Sequence, residues 1–293
     1  MSFVLAFGAT VLMASPSAPI ASIPTAVTAD TTSSEYFTLA RRQFRRGDAA
    51  DGLASYLRAA DLATTPQDWE LFGRDLAWVA TPQELAAWRT AGPSARLAML
   101  KAFWSSRDAR DGLPPGGRLA EHVRRLDLAM ARYRIHPKRG KAPMMRTSNG
   151  AVADVSGGVV GVASPLRDYA PSQGELDDRG VIFVRQGEPA SITYSGGLSL
   201  ESWTYEIDDH AVTVHFTDGL FDGASGNGML VASPPIQALA GVCQVDQAYC
   251  SAAVSNYRFP EQRERLRQVA LAAIRTLTTT DAVHPDDEHD AGH

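Results

Sequence analysis

Apolar positions recur at helical spacing through the first half of the chain and change to alternation in the second. From Ser33 to about Thr65, Tyr36, Leu39, Ala40 and Phe44 mark one short helix, and Leu53, Tyr56, Ala59 and Ala60 a second, with a Gly47-Asp48 break between them. Gln67 to Val79 carries Trp69, Leu71, Phe72, Leu76, Trp78 and Val79 on a third. Thr81-Pro82-Gln83-Glu84 has the form of a capping box, in which the Thr81 side chain accepts from the Glu84 backbone N–H while the Glu84 carboxylate reaches back. Gly92-Pro93 ends that helix, and Ser94 is the expected cap of the next, which holds Leu97, Leu100, Phe103 and Trp104. After the turn-forming run Asp111 to Gly117, the stripe Leu119, Val123, Leu126, Met130 and Tyr133 predicts a long helix with that face in the core.

Residues 136–174 keep no sustained period and are rich in Gly, Pro, Ser and Ala, which predicts an irregular insertion in which Val159 to Ala163 tucks down as a strand. Strands are predicted beyond it. Val181 to Arg185 reads as the first, entered through Asp177-Asp178-Arg179-Gly180 and closed by Gly187-Glu188-Pro189. Trp203, Tyr205 and Ile207 alternate along a second, Asp208-Asp209-His210 turns the chain, and Val212, Val214 and Phe216 line a third, with Met229 to Val231 a further one. Pro260 opens a helix with an apolar stripe of Leu266, Val269, Ala270, Ala273, Ile274 and Leu277. The expected class is α+β: a helical region over 30–135, the insertion, and an antiparallel sheet with a C-terminal helix over 175–278. An acidic tail over 279–293 is expected to be solvated.

The apolar run Phe3 to Met13 is too short for the roughly 20 residues that span a bilayer. Small residues follow at Val27-Thr28-Ala29, so residues 1–29 resemble a signal peptide, although the positive charge usual before the apolar run is absent. The expectation is a periplasmic or secreted chain with no transmembrane segment once matured. Cys243 and Cys250, the chain's only two cysteines, then read as a disulfide closing a short loop, two buried thiols being the alternative. A net charge of −5 and 21% charged residues give no nucleic-acid footprint.

Three separated motifs resemble the GWxTD-domain proteins of bacteria. Phe103-Trp104-Ser105-Ser106-Arg107-Asp108 matches an F-W-x-x-R-D-P element, with Ala109 in place of the proline. Asp178-Arg179-Gly180, the apolar run and Gly187-Glu188-Pro189 match the central motif, although Glu175 and Asp177 stand where the name-giving Trp and Thr would be. Trp203 and Tyr205, in Glu201 to Tyr205, and Asp218, in Phe216-Thr217-Asp218, match later strand elements. The resemblance covers about residues 75–231 and brings no reaction with it. The first two helices also resemble a single tetratricopeptide repeat, the alternative being a plain helical hairpin packed on the next helices.

The candidate catalytic groups are carboxylates at predicted strand ends, of which Asp178, Glu188 and Asp218 are foremost. Two such groups ~5–10 Å apart would form a general acid and base, or half of a metal site. The structural alternative makes Asp178-Arg179 an ion pair at the entry to the first strand. In the earlier motif, either Phe103 and Trp104 pack while Arg107 and Asp108 cap and solvate a helix end, or a buried Arg107 pairs with a carboxylate of the later sheet. Arg107 or Asp108 should then lie near Asp178-Arg179. The histidines do not converge, and the sequence holds no P-loop or dinucleotide fingerprint. The expected function is a non-catalytic module binding an envelope protein or a glycan, without cofactor or metal. A carboxylate hydrolase, with or without a divalent metal, and a small-ligand binder are the alternatives.

Overall fold

The computed structural model describes residues 32–135, 145–146, 152–153, 166, 175–195, 200–217, 227–231, 239–250, 260–279 and 281. The expected leader, Val159 to Ala163, Asp218 and the tail after 281 lie outside those residues. Within them the architecture is α+β: a helical region, a small antiparallel sheet and C-terminal helices. None of these helices is long and apolar enough to cross a membrane.

Helices α1 (Ser33–Arg45) and α2 (Ala49–Asp61) form the expected hairpin, turned by Gly47 at a φ of +86°, where a side chain would be strained. Helices α3 (Pro66–Val79) and α4 (Pro82–Thr90) both begin with a capping box and proline in the first turn. The Thr65 hydroxyl accepts from the Asp68 N–H and the Thr81 hydroxyl from the Glu84 N–H. Helix α5 (Pro93–Arg110) corrects the expected cap: Gly92, not Ser94, is its N-cap. Pro93 takes the first helical position, where its missing N–H costs nothing, and the cap falls on the residue before it.

Helix α6 (Gly117–Arg132) buries Leu119 and Val123 of the predicted stripe, with Leu126 and Met130 packed at its margin. It also buries Arg118, His122 and Arg125, spaced i, i+4 and i+7 on a neighbouring face. The insertion is closed at its base. Arg134 bridges Leu176, and the Asp177 N–H donates to the Tyr133 carbonyl at 2.9 Å. Inside it, β1 (Met145–Arg146) and β2 (Val152–Ala153) form a two-residue antiparallel pair.

The apolar run from Val181 is helix, not strand. Helix α7 (Asp178–Gln186) starts at Asp177, whose carboxylate accepts the Gly180 N–H, and stops at Gly187, where φ is +80°. Gly180 through Gln186 are all buried, against α3, α6, α9 and the sheet. A helix enclosed on every side shows no periodicity, so its short apolar run has the same appearance as a buried strand.

Among the described residues, four strands make the main sheet in the order β3-β4-β5-β6: β3 (Ser191–Ser195), β4 (Leu200–Ile207), β5 (His210–Thr217) and β6 (Met229–Leu230). The first of these was not foreseen. The hairpin between β4 and β5 turns on Asp208 and Asp209, both at positive φ, the conformation that matches strand twist across a two-residue loop. Trp203, Tyr205, Val214 and Phe216 face the main core, where the Trp203 ring lies 5.5 Å from that of Tyr133. The opposite face carries Leu200, Ser202 and His215 and is covered by α8 (Leu239–Val245), a 3₁₀ turn at Gln247–Tyr249 and α9 (Pro260–Thr279). Cys243 and Cys250 are joined by a disulfide, their Cα atoms 4.7 Å apart.

Candidate functional site

The central motif folds into a hydrogen-bonded knot around the start of α7. Asp177 is its hub. One carboxylate oxygen accepts the Gly180 N–H at 3.1 Å; the other accepts the Gly228 N–H at 2.7 Å and Arg179 Nη2 at 2.6 Å. Burial pushes the Asp177 carboxyl upward, against the pull of Arg179 and these backbone donors. Arg179 also donates to Glu201 at 2.9 Å, and Glu201 accepts the Trp203 indole N–H at 2.6 Å. Gly228 lies beneath Arg179, where an added Cβ would collide with the guanidinium Nε. Tyr205 donates to the Gly187 carbonyl at 3.2 Å, tying the far end of α7 to the sheet.

The expected Asp178–Arg179 pair is therefore corrected. Arg179 pairs with Asp177 and Glu201, while Asp178 accepts the Leu230 N–H at 2.7 Å and joins β6 to the helix. The correction follows from the change of element, because neighbouring residues at a helix start point in different directions.

The earlier motif is also redirected. Phe103 lies under the Arg107 guanidinium at 3.5 Å, and Trp104 is buried against His122. Arg107 pairs not with a sheet carboxylate but with Glu84 at 3.2 Å and Asp281 at 2.8 Å. Asp108 accepts the Gly116 and Arg118 N–H groups at 2.8 and 2.7 Å and so caps α6. The two motifs serve separate networks instead of meeting. Asp281, expected in a solvated tail, is only 4% exposed.

Of the proposed catalytic carboxylates, Asp178 and Glu188 stand apart, and Asp218 lies outside the described residues. Asp178 and Glu188 stand at opposite ends of α7, nine residues or roughly 13 Å of helix. Glu188 is exposed, beside Pro189, and pairs with Arg132. Ser202, His215 and Asp246 do come together: Ser202 Oγ is 2.8 Å from His215 Nδ1, and His215 Nε2 is 3.7 Å from Asp246. Ser202 and His215 are closed from solvent, with the Tyr249 ring edge-on to the imidazole. The Ser202–His215 contact is a buried polar tie between β4 and β5. His210 is exposed at the start of β5, away from it. Among the described residues no group of three or more His, Cys, Asp or Glu side chains could hold a metal ion.

A buried charge network in the helical half escaped the sequence reading. Asp75 of α3 pairs with Arg41 of α1, accepts the Tyr56 hydroxyl of α2 at 3.2 Å and faces His122 of α6 at 3.8 Å. Burial raises Asp75, but Arg41 and His122 outweigh it and hold the carboxyl low, whereas burial pushes His122 down. The only signal in the sequence is polar residues at helical spacing, which is also the pattern of a solvated face.

One accessible surface stands apart. Strand β3 is an edge of the main sheet among the described residues, and Ser191, Ile192, Thr193 and Tyr194 are exposed on both its faces. Among those residues, Ile192 and Tyr194 are the exposed large hydrophobics, at 38% and 71%. They share the face of Trp203 and Glu201, their partners on β4. Searches of protein families, curated proteins and solved structures return no match to this chain.

Proposed function

We propose that this chain is an exported, non-catalytic envelope protein that docks an extended segment of another protein along β3. The observation that carries the reading is the edge strand itself. Ser191–Ser195 reads Ser-Ile-Thr-Tyr-Ser, with neither a charge nor a proline to block pairing. An edge strand presents a row of unpaired backbone N–H and C=O groups that a partner strand completes, and Ile192 and Tyr194 offer adjacent apolar anchors. A periplasmic or secreted location is supported by the Cys243–Cys250 disulfide, which persists in an oxidising compartment. Kinship with GWxTD-domain proteins is part of the same proposal; it is supported by the order of the motifs and by their use as internal ties around α7 and α6.

The test is site-specific photocrosslinking in cells, with the photoreactive residue at position 194 and, as control, at the exposed Arg74 of α3. A discrete protein adduct at 194 alone, lost on Ile192→Lys, is expected. Adducts to glycan only, or equal adducts at both positions, would reject protein docking at β3.

A further inference from the structure

Three arginines converge on one carboxylate at the C-terminal end of α9. Arg107 donates through Nε to Asp281 Oδ2 at 2.8 Å, and Arg110 through Nη1 to Oδ1 at 3.0 Å. Arg118 Nη2 stands 3.5 Å from Oδ2. Arg110 also reaches the Asp281 backbone carbonyl. The arginines are held from the other side. Glu84 pairs with Arg107, Asp111 binds Arg110 and faces Arg118 at 3.6 Å, and Asp108 fixes the Arg118 backbone. Phe103 supports the Arg107 guanidinium from below. The receiving side is thus built by α4, α5 and α6, whereas Asp281 arrives two residues past the end of α9.

Arg118 has no match for its donors. It is 0% exposed, yet none of its three guanidinium nitrogens makes a hydrogen bond. A guanidinium has five N–H donors, and leaving them unmet in the interior is costly. Burial, and then the charge of Arg125, drive the Arg118 guanidinium down to about 10, against the opposing charges of Asp281, Glu121 and Asp111. The Asp281 oxygens accept hydrogen bonds from Arg107 and Arg110, while Arg118 Nη2, at 3.5 Å from Oδ2, makes none. A tetrahedral oxyanion supplies more oxygens and up to two charges, and planar guanidinium forks match its geometry.

We propose that Arg107, Arg110 and Arg118 form a phosphate-binding site that Asp281 occupies in cis and that a phosphate group enters when Asp281 is displaced. Asp281 is then an internal competitor, which lowers the apparent affinity of the site in the parent protein. Occupation by phosphate frees Asp281 from α5 and α6. The ligand class is a phosphate dianion, either free or carried as a monoester.

The experiment compares the full chain with Asp281→Asn in thermal melts titrated with inorganic phosphate or glycerol 3-phosphate, each against potassium chloride at equal ionic strength. Saturable stabilisation of Asp281→Asn by at least one phosphate probe is expected, with an apparent Kd at least about tenfold lower than the parent's. The tighter of the two probes identifies a free phosphate or a monoester as the ligand. Adding Arg118→Gln should abolish the effect. No phosphate-specific stabilisation of Asp281→Asn, or the same stabilisation after Arg118→Gln, overturns the proposal. Should Asp281→Asn fail to fold, hydrogen exchange of the parent decides the question. Phosphate, but not chloride, should accelerate exchange of amides in the last turn of α9, and unchanged exchange refutes the site.

Discussion

Arg185→Met removes a side chain that satisfies the ends of two helices at once. The guanidinium is fully buried and donates to the carbonyls of Val79 and Ala80 at the end of α3, at 3.3 and 3.0 Å. It also donates to the Thr278 carbonyl near the end of α9 at 2.9 Å. Carbonyls in these positions have no acceptor role inside their own helices, and the negative end of each helix dipole favours a cation there. Methionine fills comparable volume but donates nothing. A hydrogen bond to a charged group contributes ~1.5–3 kcal/mol, and three are lost here, partly offset because a charge no longer has to be buried. The expected loss is about 3–5 kcal/mol, in the range seen when one partner of a buried network is removed. Unlike a buried ion pair, the remaining acceptors are main chain and cannot be replaced by apolar groups. Urea denaturation should show a lower midpoint with an unchanged slope. Arg185→Lys keeps the charge but lacks the planar fork, and should recover less than half of the loss. A variant within about 1 kcal/mol of the parent, or full recovery by lysine, would refute the argument.

Gly180→Ala should destabilise by ~1–3 kcal/mol, because its methyl would sit 2.9 Å from Leu176 Cβ and 3.0 Å from Tyr133 Cβ, atoms fixed to the backbone; melting curves check this. Burial holds the folded-state pKa of His122 below its ordinary value of about 6.5. Below that pH the unfolded chain binds a proton that the folded chain refuses, so stability should fall as pH drops from about 6.5. Denaturant midpoints between pH 7.5 and 5 should lose part of this slope in His122→Gln, and an identical slope in the variant would exclude His122 as its source. Reducing Cys243–Cys250 should lower stability by ~2–3 kcal/mol on the loop-entropy estimate, measured by melts with and without reductant and by mass spectrometry of alkylated protein. Glu188→Gln should change stability by less than ~0.5 kcal/mol, since its pair with Arg132 is almost half exposed on both sides; a loss above 1 kcal/mol in chemical denaturation would contradict that reading.

Local chemistry alone determined much of this protein. The capping box at Thr81 and Glu84, the break at Gly47, the Asp208-Asp209 hairpin and the stripe of α9 all depend on residues close together in the chain. The sequence left Cys243 and Cys250 as either a disulfide or two buried thiols, and the structure joins them. The tertiary structure decided what enclosure decides. Val181 to Val184 is helix because packed elements surround it, and burial on all sides erases the periodicity that separates helix from strand. Strand β3 exists through pairing with β4, a contact its own uncharged residues do not announce. The partners of Arg107, Arg118 and Arg185 stand up to 174 residues away, at Asp281 and at the ends of α3 and α9. A charged side chain in a helix has the same spacing whether it meets water or an anion, and only the fold brings the anion to it.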